Sequence, residues 1–127
     1  MNIYHGTTKK LAELIIKSKI LKAGNYGDGP GVCLNIQQAM QYADSKCNLQ
    51  GIDSRRSGRV IVFEGLPAQL LNTASKSTDV DSFTLNDEFK EPSKGLHFVH
   101  AKVLTMTEAE ELAKITKVKV YDENEEN

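Results

Sequence analysis

A chain of 127 residues and 14.1 kDa, 39% hydrophobic and 26% charged, has the size and balance of one soluble domain, and two domains are not expected. The formal net charge of −1 excludes any overall attraction to nucleic acid or anionic membrane, and no run approaches the ~20 apolar residues of a membrane span. Lysines interrupt the first twenty residues, so no signal-peptide pattern is read there, and a cytoplasmic setting with Cys33 and Cys47 as free thiols is expected.

In chain order, residues 2–6 read as a short strand ending in a histidine. Lys9 to Lys19 follows as an amphipathic helix with Leu11, Leu14, Ile15 and Ser18 on one face and Thr7 or Thr8 as its cap. Residues 22–31, with four glycines and a proline, have loop chemistry and enough length to fold over a ligand. Val32 to Leu34 is a brief strand, and Ile36 to Lys46, capped by Asn35, places Ala39, Tyr42 and Ala43 at helical spacing. Asn48 to Gly58 is polar and reads as a loop. Arg59 to Glu64 is a nearly continuous apolar run, the pattern of a strand buried on both faces, stopped at Gly65-Leu66-Pro67.

Beyond that turn, residues 72–94 are polar, with short strands expected at Ser82 to Leu85 and at Glu88-Phe89. Leu96 to Leu104 reads as one long strand, and Thr107 to Glu110 as a capping box opening a helix through Lys114. Lys117 to Tyr121 alternates like an edge strand guarded by its lysines, ahead of an acidic, frayed tail at 122–127. There is no internal repeat. Strands outnumber helices and the helices do not alternate with them, which argues for an α+β domain spanning 1–121.

Two stretches carry chemistry. Asn2-Ile3-Tyr4-His5-Gly6-Thr7-Thr8 ends an apolar run in a histidine followed by a glycine, which admits close approach of a ligand or another backbone. Gly29-Pro30-Gly31-Val32-Cys33-Leu34-Asn35 leads from the glycine-rich loop into a helix bearing Ala39-x-x-Tyr42. Taken in order, His-Gly, a helix, a Gly-rich loop into Gly-Val-x-Leu and the Ala-x-x-Tyr helix resemble the first two motifs of the ADP-ribosyltransferase superfamily over residues 2–64.

That resemblance implies a mixed, mostly antiparallel split β-sheet with flanking helices, and NAD as a substrate. It implies that His5 hydrogen-bonds a ribose, that Gly6 pairs with the nicotinamide amide, and that Thr7, Gly31, Cys33 and Tyr42 line the dinucleotide site. Departure of nicotinamide leaves an oxocarbenium-like sugar, which a carboxylate stabilises and an aromatic face positions. The family places that acid on or before a late strand, where Asp87, Glu88 and Glu91 all qualify. Glu88 is preferred because, preceding Phe89, it faces a cleft while the ring faces the core. Cys33 stands where the family has an aromatic, so half of the ring clamp is missing unless Tyr26, Tyr42 or Tyr4 replaces it.

Plainer readings stand beside these. His5 is alternatively a strand-end ring satisfied by a backbone carbonyl, Tyr42 a core residue, and Cys33 a small buried hydrophobe or a nucleophile paired with His5. His97 and His100, three apart on a strand, face opposite ways and do not share a metal ion. Gly24 to Gly31 lacks a P-loop ending. Arg55, Arg56 and Arg59, with Lys46 nearby, form a local basic patch, either a solvated loop or a dock for phosphates, nucleic acid or an acidic partner.

The expected function is transfer of ADP-ribose from NAD to a macromolecular acceptor, with protein preferred, in the manner of the small phage or bacterial effectors of that superfamily. The alternative is a catalytically weakened binding or inhibitor protein of the same fold. An RNA 2′-phosphotransferase is a third reading, disfavoured by the few basic residues.

Overall fold

The computed structural model describes residues 2–22, 31–66, 75–76, 82–84 and 96–115, the two short pieces at 75–76 and 82–84 by their backbone. Their elements run β1 (Ile3–Thr8), α1 (Lys9–Ser18), β2 (Ile20–Leu21), β3 (Gly31–Cys33), α2 (Ile36–Leu49), α3 (Ser54–Ser57), β4 (Gly58–Phe63), β5 (Ser75–Lys76), β6 (Ser82–Thr84), β7 (Leu96–His97) and β8 (Ala101–Thr105), then a helix over 106–115 (α4). The class is α+β. Six strands form a sheet in the order β5-β6-β3-β1-β4-β8, and β2 and β7 form a separate pair. All pairings among the described strands are antiparallel, where the resemblance implied a mixed sheet.

Alternation along β1 and β4 builds a core on each face. Ile3 lies opposite Phe63 and His5 opposite Ile61, while Tyr4 lies opposite Val62 and Gly6 opposite Val60; directly opposed residues share a face. Ile3, Val32, Ile61 and Phe63 therefore pack under α1 with Ala12, Leu21, Leu96 and Phe98. Cys33 and Val60 pack on the other face with Ile36, Ala39 and Ala43 of α2 and Met106, Ala109 and Ala113 of α4. The apolar run of β4 is buried on both faces as expected, and burial of Phe63 alone is worth about 2–3 kcal/mol.

Local chemistry sets most element ends. Thr8 caps α1 by accepting from the Leu11 N–H at 3.3 Å, and Asn35 caps α2 by accepting from the N–H groups of Gln37 and Gln38. The expected loop before β4 contains the one-turn α3, capped by the Asp53 carboxylate. The capping box lies two residues earlier than the sequence suggested. Thr105 accepts from the Glu108 N–H at 3.1 Å and the Glu108 carboxylate accepts from the Thr105 N–H at 2.9 Å, so α4 begins at 106.

Two expectations are corrected. The face of α1 turned to the core carries Ala12, Ile15 and Ile16, while Leu11 and Leu14 are 42% and 56% exposed; the small Ala12 lets the helix approach the sheet. The long strand from Leu96 is broken at Phe98–His100. Leu96 and His97 pair with β2, Phe98 turns into the core with its ring edge-on to Phe63 at 4.8 Å, and only Ala101 onward pairs with β4. The expected elements at Glu88-Phe89 and 117–121, the loop at 23–30 and the tail lie outside the described residues.

Candidate functional site

The site forms where β1 and β3 part. Their pairing is confined to Tyr4 opposite Cys33, and continuing that antiparallel register by two places would set Gly6 opposite Gly31. The carbonyls of both glycines are instead held by side chains. His5 Nδ1 lies 2.7 Å from the Gly31 oxygen, and the Lys46 ammonium donates to the Gly6 oxygen at 2.8 Å. The ladder is thus replaced by two side-chain caps, leaving a notch bounded by β1, β3 and the last turn of α2.

Lys46 reaches this place because α2 lies close against β1. A side chain at Gly6 would run into the backbone of Ala39, its Cβ colliding with the Ala39 oxygen. Glycine on the strand facing Ala39 and Ala43 on the helix brings the two backbones together. Of the two kinds of approach the His-Gly pair allowed, the face of Gly6 is used by α2. Its carbonyl, in the plane of the sheet, points to the notch.

The two rings of contact also fix the histidine tautomer. A carbonyl only accepts, so Nδ1 carries the proton bonded to Gly31, and Nε2, 3.5 Å from Lys46 Nζ, presents its lone pair to the ammonium. Burial and then the Lys46 charge push the imidazole from 6.5 down to about 3, against the opposing effect of the Gly31 carbonyl. His5 is therefore neutral near pH 7. Burial also lowers the Lys46 pKa, an effect opposed by the nearby Cys33 thiol.

The other expected site residues differ in their surroundings. Cys33 and Cys47 are buried, and neither forms a disulfide; burial raises the Cys47 pKa. Thr7 is fully buried on the α1 face of the sheet, and its hydroxyl has no hydrogen-bond partner among the described residues. Tyr42 is partly buried against the α2-side core, one helical turn before Lys46 and on the same stripe. Gly31 is exposed, with open space around its α-carbon. Asp87, Glu88, Glu91 and Tyr26 lie outside the described residues.

The basic patch is less uniform than its sequence. Arg55 pairs with Glu110 at 2.8 Å, and one Arg59 nitrogen donates to the carbonyls of Arg56 and Gly58. Arg59 also lines a groove of about 310 Å³ with Lys9, Glu13, Ile16, Lys17 and Val103, separate from the notch residues. Lys46 does not join the patch but turns to His5 and Gly6. Sequence reasoning named it only beside that patch and missed its place against His5, for which its position one turn after Tyr42 was the available signal.

No family model, curated protein or solved structure matches this chain. Among the described residues no helix is long and apolar enough to cross a membrane.

Proposed function

We propose that the protein is a small ADP-ribosyltransferase that moves ADP-ribose from NAD to a macromolecular acceptor, with protein as the favored class. The domain is read as the ADP-ribosyltransferase-like fold. The observation that carries the reading is the union of His5, at the opened edge of β1, with the helix bearing Tyr42 through the Lys46 contact at 3.5 Å. The ordered motifs from His5 to Tyr42 supply the rest of the support.

In this reaction the bond between ribose C1′ and the nicotinamide nitrogen breaks, nicotinamide leaves with the bonding pair, and an acceptor nucleophile forms the new bond at C1′ as it loses its proton. His5 orients the ribose through Nε2, Tyr42 offers a face to the nicotinamide ring, and Glu88 is assigned the charge-stabilizing role. Incubation with labeled NAD and cell extract tests this. Transfer of label, lost in His5→Ala, is expected; no transfer and no NAD hydrolysis by the parent protein contradicts it.

A second reading, a binding protein of this fold with weakened turnover, is favored by one specific observation. His5 and the Gly6 carbonyl are already engaged by groups of the chain itself. Calorimetry separates the two: no heat with NAD, together with capture of an unmodified partner, selects the binder.

A further inference from the structure

We propose that Lys46 is a phosphate-binding residue of the notch, so that the ligand is recognized through a phosphate or pyrophosphate group as well as through any ribose or base. The inference rests on the reading of the notch as a dinucleotide site and adds a residue and a charge requirement to it.

Three observations lead there. Lys46 leaves the solvent-facing basic patch and turns its ammonium into the β1–β3 notch, where the Gly6 carbonyl and His5 Nε2 are its contacts at 2.8 and 3.5 Å. Both contacts are uncharged, and among the described residues the ion pairs are Arg55–Glu110, Lys102–Glu64 and Lys114–Glu111, none of which includes Lys46. A partly buried cation held by a carbonyl and an imidazole, with the Cys33 thiol nearby, is stabilized by an anionic oxygen placed beside it.

The longer contact is the one to exchange. The bond to Gly6 holds the ammonium in place, while the 3.5 Å approach to His5 is at the weak end of hydrogen bonding, so an anionic oxygen replaces Nε2 as acceptor at little cost. The same anion offsets the Lys46 charge, which after burial is the second cause that keeps His5 from protonating. Nε2 then becomes a second donor to the bound group. Phosphate esters suit this pair because their several oxygens accept from two donors at once.

The test uses the full chain and three probes: inorganic pyrophosphate, NAD and nicotinamide riboside, which has the nicotinamide ribose without phosphate. Lys46→Met is expected to weaken pyrophosphate and NAD about tenfold or more while leaving nicotinamide riboside within about threefold, and Lys46→Arg to keep most of the affinity. In the unmutated protein, pyrophosphate is expected to protect Lys46 from acetylation, a readout independent of whether the variants fold. Pyrophosphate binding that is indifferent to Lys46, or no binding of any phosphate probe, overturns the proposal. If pyrophosphate binds through Lys46 and NAD does not, the phosphate site stands and the transferase reading falls; if NAD binds equally well without Lys46, the reverse holds.

Discussion

The His5 ring lies 2.7 Å from the Gly31 carbonyl through Nδ1, and so a side chain of β1 occupies a main-chain acceptor of β3 where the ladder between those strands has stopped. Lys46 does the same for Gly6 from the other side. A sheet opened at one point and sealed by two polar side chains exposes main-chain groups without leaving their carbonyls unsatisfied. The two strands part here with both glycine carbonyls satisfied.

Acid should reveal the half-buried neutral imidazole. The folded value for His5, about 3, lies below the 6.5 of the unfolded chain, so between these the unfolded state binds the extra proton. The contribution of this group is fully present above 6.5 and is lost as the pH falls toward 3, with a slope of at most about 1.4 kcal/mol per pH unit. Urea unfolding from about pH 7.5 to about pH 4 should show a steeper decline for the parent than for His5→Gln. Equal slopes contradict the neutral ring.

The two glycines flanking the notch should respond differently to one methyl group. Gly6→Ala places a Cβ against the Ala39 backbone and is expected to cost about 3 kcal/mol or more, because strand and helix must separate. Gly31→Ala meets open space and is expected within about 1 kcal/mol of the parent. Paired denaturation curves check both.

At the start of α4, Thr105→Ala removes the cap and is expected to cost about 1 kcal/mol. Thr107→Ala, which lies inside the helix, should be close to neutral. A larger effect at Thr107 would return the box to the position the sequence suggested.

Cys33 and Cys47 should resist thiol reagents in the native protein and react after unfolding, since both are buried and burial raises the Cys47 pKa. Rapid native labeling of Cys33 would instead support a nucleophile beside His5.

Much of the fold was legible because the signals are local. Thr8 and Asn35 cap the helices that follow them, and the run from Arg59 to Phe63 is buried on both faces as its composition requires. The rest depends on tertiary packing. Leu11 and Leu14 make as good a stripe as Ala12, Ile15 and Ile16 by period alone, and only the fit of a small alanine against the sheet decides. Nothing in Phe98-Val99-His100 is a breaker by type; the break comes from the competing demands of β2 and β4. At the site, His5 and Gly6 stood out, but Lys46 reads as one more helix-end cation until α2 is laid on β1.

The most direct test follows the His5 ring nitrogens and the Tyr42 ring by NMR while NAD is added. The account predicts saturable shifts of both residues at or below about 1 mM NAD, with the His5 ring moving toward its protonated form as the Lys46 charge is neutralized. Unchanged His5 and Tyr42 signals at that concentration contradict a dinucleotide site in the notch.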